Sequence, residues 1–258
     1  MRGWGGLRRV VRIALILVFC LLMYLVALLI KLVTLGQPRL HFLLICQGTR
    51  IWGYGLARIW GMRIRVTGPR PRAPFFLVSN HMSYTDIFLV CAVCPAWFIS
   101  KSEVAGWPGI GALTRVGPTI YINRELRRDV KRMNQLIGQL VLDGGAVGFF
   151  PEGTTTNGEQ MLPFKPSLFQ PAVEMQLPVT TAAIRYETRP GMPSPAEVVA
   201  WYGDRDFAPH AARLLAQPGF SAHIHFGDQT LKGSDRKQLA LEAQAQIAAD
   251  LEKMRTKV

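Results

Sequence analysis

The chain has 258 residues, 49% of them apolar, and 30 Lys and Arg against 17 Asp and Glu give a formal net charge of +13. That length suits one α/β domain plus an appendage, with ample apolar residues for a core. The basic balance suits a polyanion: nucleic acid, an anionic membrane face or a phosphorylated substrate. The four cysteines exclude a closed zinc site, because the lone pair Cys91 and Cys94 has neither a second pair nor a His cluster to complete four ligands. They read as small residues filling an apolar helix, and nothing calls for an oxidising compartment.

The first element is Ile13 to Ile30, "IALILVFCLLMYLVALLI", eighteen residues without a charge. That is long enough to enter a bilayer. A cleaved secretory signal is rejected, because Lys31 and "LVTL" follow with no small-residue cleavage pattern. Arg2, Arg8, Arg9 and Arg12 precede the run, which holds the N-terminus in the cytoplasm. A single span would then carry the basic remainder across the membrane. The next segment, "TLGQPRLHFLLICQGTRIWGYGLARIWGM", offers another course. It is broken at Gly36 and Pro38, carries Arg50 and Arg58, and places Trp52, Tyr54 and Trp60 where headgroups favour them. Residues 1–61 are expected to form a membrane-inserting helical hairpin that dips into one leaflet and returns, leaving both ends cytoplasmic. One ordinary span plus a surface helix is the alternative.

From residue 62 onward the pattern is that of a globular domain, residues 62–258. "MRIRVTG" alternates as a strand, and "PFFLVSN" is a continuous apolar run typical of a strand buried on both faces. "TDIFLVCAV" reads as a helix, and "AWFIS" and "GPTIYINR" as strands. "ELRRDVKRMNQLIGQLVLDGG" is an amphipathic helix ended by glycines. "AVGFFPEG" is a strand entering a loop, and "PSLFQPAVEMQ" a short helix kinked at Pro171. "PVTTAAIRY", "EVVAWYG" and "AHIHFG" read as strands, residues 207–216 as a short helix, and the tail as a helix capped by Ser234. Alternation of this kind predicts an α/β fold: a mixed sheet flanked by helices.

Residues 75–86, "FFLVSNHMSYTD", place a base and a carboxylate directly after a buried strand. Residues five apart sit about 140° apart on a helix, so His81 and Asp86 meet only if His81 precedes the helix and Asp86 lies in its first turns. Asp86 can then accept from one ring nitrogen of His81, fixing the tautomer and leaving the other nitrogen as a base. A His–Asp pair alone is more often structural than catalytic. No G-x-S-x-G elbow and no P-loop is present.

Further blocks accompany the pair. "GPTIYINR" runs from Gly117 to Arg124, "FPEGT" from Phe150 to Thr154, and "LPVTTAAI" from Leu177 to Ile184. With Asn80, His81 and Asp86 they resemble the glycerophospholipid acyltransferase family of the 1-acylglycerol-3-phosphate acyltransferase type, in the family's order, over roughly residues 60–230. The resemblance implies a membrane-bound O-acyltransferase. His81 would deprotonate a lysolipid hydroxyl, which attacks the thioester of acyl-CoA or acyl carrier protein, and Asp86 would orient His81. No cofactor or metal is required beyond that co-substrate. Asn80, Arg124, Glu152, Gly153, Thr154 and Lys165 are expected at the acceptor. Arg124 would hold its phosphate, Glu152 would orient Arg124 or bond a hydroxyl, and Gly153 would offer a backbone N–H. Arg127, Arg128, Lys131 and Arg132 would face the anionic membrane or the donor's phosphates. Ser83 and Thr85 read as helix-start residues.

The first expected acceptor is 1-acyl-sn-glycerol-3-phosphate, giving phosphatidic acid, with the catalytic domain on the cytoplasmic face. One departure weakens that choice: Thr155 stands where the family usually has Arg. This resembles branches that acylate lyso-ornithine lipid or lysophosphatidylcholine, which is the alternative. A non-catalytic membrane-anchored lipid-binding protein would explain the charge and the hairpin but not the four blocks. Nucleic acid is not an expected partner, for want of any recognition motif.

Overall fold

The computed structural model describes residues 2–94, 96–106, 111, 114–115, 119–122, 127–142 and 144–256. Two long helices come first, α1 (Arg2–Val33) and α2 (Pro38–Trp60), joined at the break expected from Gly36 and Pro38. Gly55 of α2 abuts Phe19 of α1, and Gly48 abuts Ile30, so the two helices run antiparallel as a hairpin. The stretch Trp4–Val33 is long and apolar enough to cross a membrane, and none of its most apolar window is buried.

The hairpin is fastened to the rest of the chain at two places. Gly53 lets α2 close onto α3 (Thr85–Val93), where a Cβ would lie 2.7 Å from both the Ala92 nitrogen and the Cys91 Cβ. Trp60 packs against Tyr84 with ring centroids 5.4 Å apart, so α2 and α3 are antiparallel. At the other fastening Arg8 donates to the Ala216 carbonyl at 2.8 Å, and Arg12 to the carbonyls of Leu215 and Gln217 at 3.0 and 2.7 Å. Those carbonyls close the C-terminal end of a later helix, where cations are favoured. Two of the arginines that precede the apolar run thus clamp α1 to the body of the protein.

A sheet follows, built among the described residues from β1 (Met62–Thr67), β2 (Phe75–Ser79), β3 (Trp97–Lys101), β4 (Thr119–Ile122), β5 (Ala146–Phe149), β6 (Val179–Thr188) and β7 (Phe220–Phe226). The order across it is β1-β7-β6-β2-β5-β3-β4. All neighbours are parallel except β6 and β7, which makes the sheet mixed as expected. Further helices among the described residues are α4 (Arg127–Leu142), α5 (Gln170–Glu174), α6 (Pro195–Val198), α7 (Phe207–Ala216) and α8 (Arg236–Thr256).

β2 is central and every residue of it is buried. Its side chains alternate between two apolar layers. Phase one, Phe75 and Leu77, packs with Leu89 of α3, Trp60 of α2, Leu214 of α7 and Ile224 of β7. Phase two, Phe76 and Val78, packs with Ile137 of α4, Phe169, and Leu239 and Ile247 of α8. Leu56, Ala57 and Trp60 belong to the first layer, so the C-terminal part of α2 is core rather than appendage.

Two local readings are corrected. "EVVAWYG" is not a strand: Pro195–Val198 is a helical turn, because Ser194 and Glu197 form a capping box and Pro195 occupies the first turn. The α8 cap is Asp235, whose Oδ1 accepts from the N–H groups of Lys237 and Gln238, each at 2.8 Å, and not Ser234. The kink at Pro171 appears as a 3₁₀ turn, Pro166–Phe169, passing into α5.

Candidate active site

The chain leaves β2 at Ser79 and enters α3 at Thr85, so residues 80–84 form a short link over the C-terminal end of a parallel strand, where α/β sheets place ligands. Asn80 is buried and exchanges two hydrogen bonds with the Ile184 main chain: Nδ2 to its oxygen at 2.9 Å, and its nitrogen to Oδ1 at 2.8 Å. The amide side chain thereby imitates one more strand residue and continues the β2–β6 pairing. It anchors the link rather than facing a ligand.

His81 follows. Its Nδ1 and the Asp86 Oδ2 are 2.7 Å apart, the geometry that the spacing required. A carboxylate only accepts, so Nδ1 carries the proton and Nε2 is the basic nitrogen. Among the described residues Nε2 has no hydrogen-bond partner, and the His81 side chain is 16% exposed. The ring lies flat on Phe150, centroids 3.9 Å apart and planes 9° off parallel.

Asp86 is fully buried in the first turn of α3. Its Oδ2 also accepts the N–H groups of Met82 at 2.7 Å and Ser83 at 3.0 Å. Oδ1 accepts the Tyr186 hydroxyl at 2.5 Å, and that hydroxyl accepts from Thr85 Oγ1 at 2.9 Å. Every oxygen of the buried carboxylate is satisfied, as burial demands.

The FPEGT block grips His81 from the other side. Glu152 Oε1 accepts the His81 N–H at 2.7 Å, and Oε2 accepts the Leu162 N–H at 2.8 Å. Thr156 donates its N–H to the His81 carbonyl at 2.9 Å. Burial pushes the Glu152 carboxyl above its ordinary range, and the two N–H donors pull against that. Glu152 therefore spends both oxygens on backbone. Gly153 takes a left-handed conformation, φ 76°, and closes the turn by donating to the Phe150 carbonyl at 3.1 Å. Thr154 is exposed, and Thr155 is half-buried. Lys165 is tied by its N–H to the Pro151 carbonyl at 2.9 Å, and its exposed side chain has no partner among the described residues. Arg124 and the Gly117 end of its block lie outside the described residues.

The structure thus brings Asn80, His81, Asp86, Glu152, Gly153 and Lys165 to one end of the sheet. Phe150, Thr156 and Tyr186 join them unannounced by sequence reasoning. Phe150 lay inside a quoted block, while Tyr186 is one hundred residues from Asp86 and only the β2–β6 pairing delivers it.

A family model described as Acyltransferase matches residues 63–185. A lyso-ornithine lipid O-acyltransferase from Pseudomonas aeruginosa is 37% identical over 200 residues, covering 77% of this chain and 76% of that protein. The chain belongs to the glycerophospholipid acyltransferase family. Within that family, a 1-acyl-sn-glycerol-3-phosphate acyltransferase from Neisseria meningitidis is 38% identical over 152 residues, covering 57% of this chain and 60% of its own. The crystal structure of the 1-acyl-sn-glycerophosphate acyltransferase PlsC from Thermotoga maritima has the same fold, with a TM-score of 0.64 at 19% identity, over 91% of this chain and 95% of that one.

Proposed function

We propose that the chain is a membrane-associated lysolipid O-acyltransferase in which His81 is the general base, Asp86 orients it, and lyso-ornithine lipid is the acceptor. The observation that carries the mechanism is the His81–Asp86 contact, which leaves Nε2 without a partner among the described residues on a side chain that is 16% exposed. Nε2 takes the proton of the lysolipid hydroxyl as that oxygen forms a bond to the thioester carbonyl carbon. The tetrahedral adduct collapses, the carbon–sulfur bond breaks, and the departing thiolate receives the proton from the imidazolium. The products are the acylated lipid and the free thiol of CoA or carrier protein. No acyl-enzyme forms, because enzyme and substrate divide the base and the nucleophile between them. The hairpin anchors this site on the cytoplasmic side of the membrane, where acyl thioesters are made.

The motif blocks alone put the phosphate acceptor first. Two observations weigh the other way. Thr155 stands in place of a cation beside the site, which removes one guanidinium from any phosphate pocket. The relatives matched over about three quarters of the chain are named for lyso-ornithine lipid. Lys165 supports the second reading, the glycerol-3-phosphate acceptor, because it offers an exposed cation near the loop.

Acyl transfer from a labelled long-chain thioester, in membranes carrying the protein, tests both parts. Lyso-ornithine lipid is expected to be acylated in preference to lysophosphatidic acid and lysophosphatidylcholine, and His81→Ala is expected to lose about 10²–10⁴-fold in rate. Preference for lysophosphatidic acid would overturn the acceptor assignment. Full activity in His81→Ala would overturn the mechanism, and no transfer by folded, membrane-bound protein would overturn the enzyme.

A further inference from the structure

We infer that Tyr186 and Thr85 form a one-way hydrogen-bond relay that positions Asp86, making Tyr186 a positioning residue for the His81 base. The direction of the relay follows from the chemistry of its last member. Asp86 Oδ1 accepts and has one donor among the described residues, the Tyr186 hydroxyl at 2.5 Å. The phenol's proton is thereby committed to Asp86. The Thr85 hydroxyl, 2.9 Å away, must then be the donor to the phenol oxygen. All three residues are buried, so no water competes for the same groups. Burial first, and the Asp86 carboxyl second, push the Tyr186 phenol well above its ordinary range, which keeps it a donor at every working pH.

The two oxygens of Asp86 have different duties. Oδ2 receives His81 Nδ1 together with the N–H groups of Met82 and Ser83. These three donors belong to the same short link and would follow it if it moved. Tyr186 belongs to β6, on the far side of the β2–β6 pairing, and its ring packs on Phe220 of β7 with centroids 5.8 Å apart. It is the contact that ties the carboxylate plane to the sheet. It also draws charge from the carboxylate toward Oδ1, which tempers the pull of Oδ2 on an imidazolium. Tyr186 thus sets where the base points.

This inference rests on the acyl-transfer reading, and Tyr186→Phe tests it because the ring keeps its packing while the hydroxyl goes. Its kcat is expected to fall about tenfold with both KM values within about twofold. The acid limb of the rate profile is expected to move to higher pH. The other titratable groups around the cluster are Glu152 on the His81 N–H, Tyr84 beside Tyr186, and His210 on the Tyr84 hydroxyl. None of them is altered by the substitution, so they shift the profiles of both proteins alike. Thr85→Val, which leaves the phenol its proton but not its donor, is expected to fall between wild type and Tyr186→Phe, and Thr85→Ser to restore wild-type behaviour.

A second readout does not depend on acyl transfer. Carbethoxylation of His81 by diethyl pyrocarbonate is followed by mass spectrometry across pH in wild type and in both variants. The reactivity profile of Tyr186→Phe is expected to move with its rate profile. Identical profiles in the three proteins would overturn the relay even if the enzyme were active. A displaced profile in a protein that acylates nothing would keep the relay and sink the reaction assigned to it. If Tyr186→Phe fails to fold, Thr85→Val carries the same comparison.

Discussion

Along Ile13–Ile30 of α1 the exposed side chains are apolar, with Leu17 66% exposed and Leu21 60%. Around His81 five of the buried side chains are polar: Asn80, Ser83, Thr85, Asp86 and Glu152. A soluble domain does the reverse on both counts. The hairpin is completed by what surrounds it, since so much exposed apolar surface calls for a bilayer or another apolar partner. The site is completed from within, since each buried carboxylate oxygen already meets a donor. One region therefore depends on a solvent and the other on particular hydrogen bonds, and they should fail in different ways.

The largest effect is expected in the site. Glu152→Gln keeps the shape but turns one acceptor into an NH₂ group that must face the N–H of His81 or of Leu162. An unmade buried hydrogen bond costs about 1–3 kcal/mol. His81 hangs from that bond, and a misplacement of about 1 Å at a reacting group costs about 10²-fold. We expect kcat to fall about 10–10²-fold with the acceptor KM nearly unchanged. A KM rise with kcat intact would return Glu152 to the acceptor-binding role that its motif suggests.

The next effect belongs to the seam between the regions. Alanine ordinarily stabilises a helix by about 1 kcal/mol over glycine. At Gly53 the added Cβ would lie 2.7 Å from the Ala92 nitrogen and 2.8 Å from the Phe88 oxygen, both of them backbone. Overpacking of that kind costs about 1–3 kcal/mol and wins. Gly53→Ala should therefore lower the unfolding temperature of the detergent-solubilised protein. Gly6→Ala, where nothing lies within 4 Å, should leave it level or raise it. Equal effects at the two positions would show that α2 and α3 are not in close contact.

What the sequence disclosed divides along the same line. The hairpin was legible because eighteen uncharged residues followed by Gly36 and Pro38 are a local pattern. The His81–Asp86 contact was legible because both ends of it lie within six residues of chain. The clamps were not. Glu152 and Thr156 reach the His81 main chain, Asn80 reaches Ile184, and Tyr186 reaches Asp86, each across dozens of residues of folded chain. A motif names such residues without saying what they touch, so Asn80 and Glu152 read as ligands of the substrate while the structure spends them on backbone. "EVVAWYG" misled because β-branched and aromatic residues favour strands, while the capping box formed by Ser194 and Glu197 decided locally for a helix.

The structure buries His210 of α7, 1% exposed, with Nδ1 3.1 Å from the Tyr84 hydroxyl. It joins the helix clamped by Arg8 and Arg12 to the link beside the active site, so it tests whether the two regions unfold together. Burial pushes its pKa down to about 4 from an ordinary 6.5, with Arg205 and Arg213 adding to the effect. The folded protein thus resists a proton that the unfolded chain accepts. The stability this confers is complete above the unfolded value and is lost as pH falls toward the folded one. Between about pH 7 and about pH 5.5 the loss amounts to about 1 kcal/mol. His210→Gln removes the titration, so the gap between wild type and variant should narrow by that amount over the interval. A gap independent of pH would mean that the pocket opens to water before the fold gives way, and that the hairpin clamp and the active-site link unfold separately.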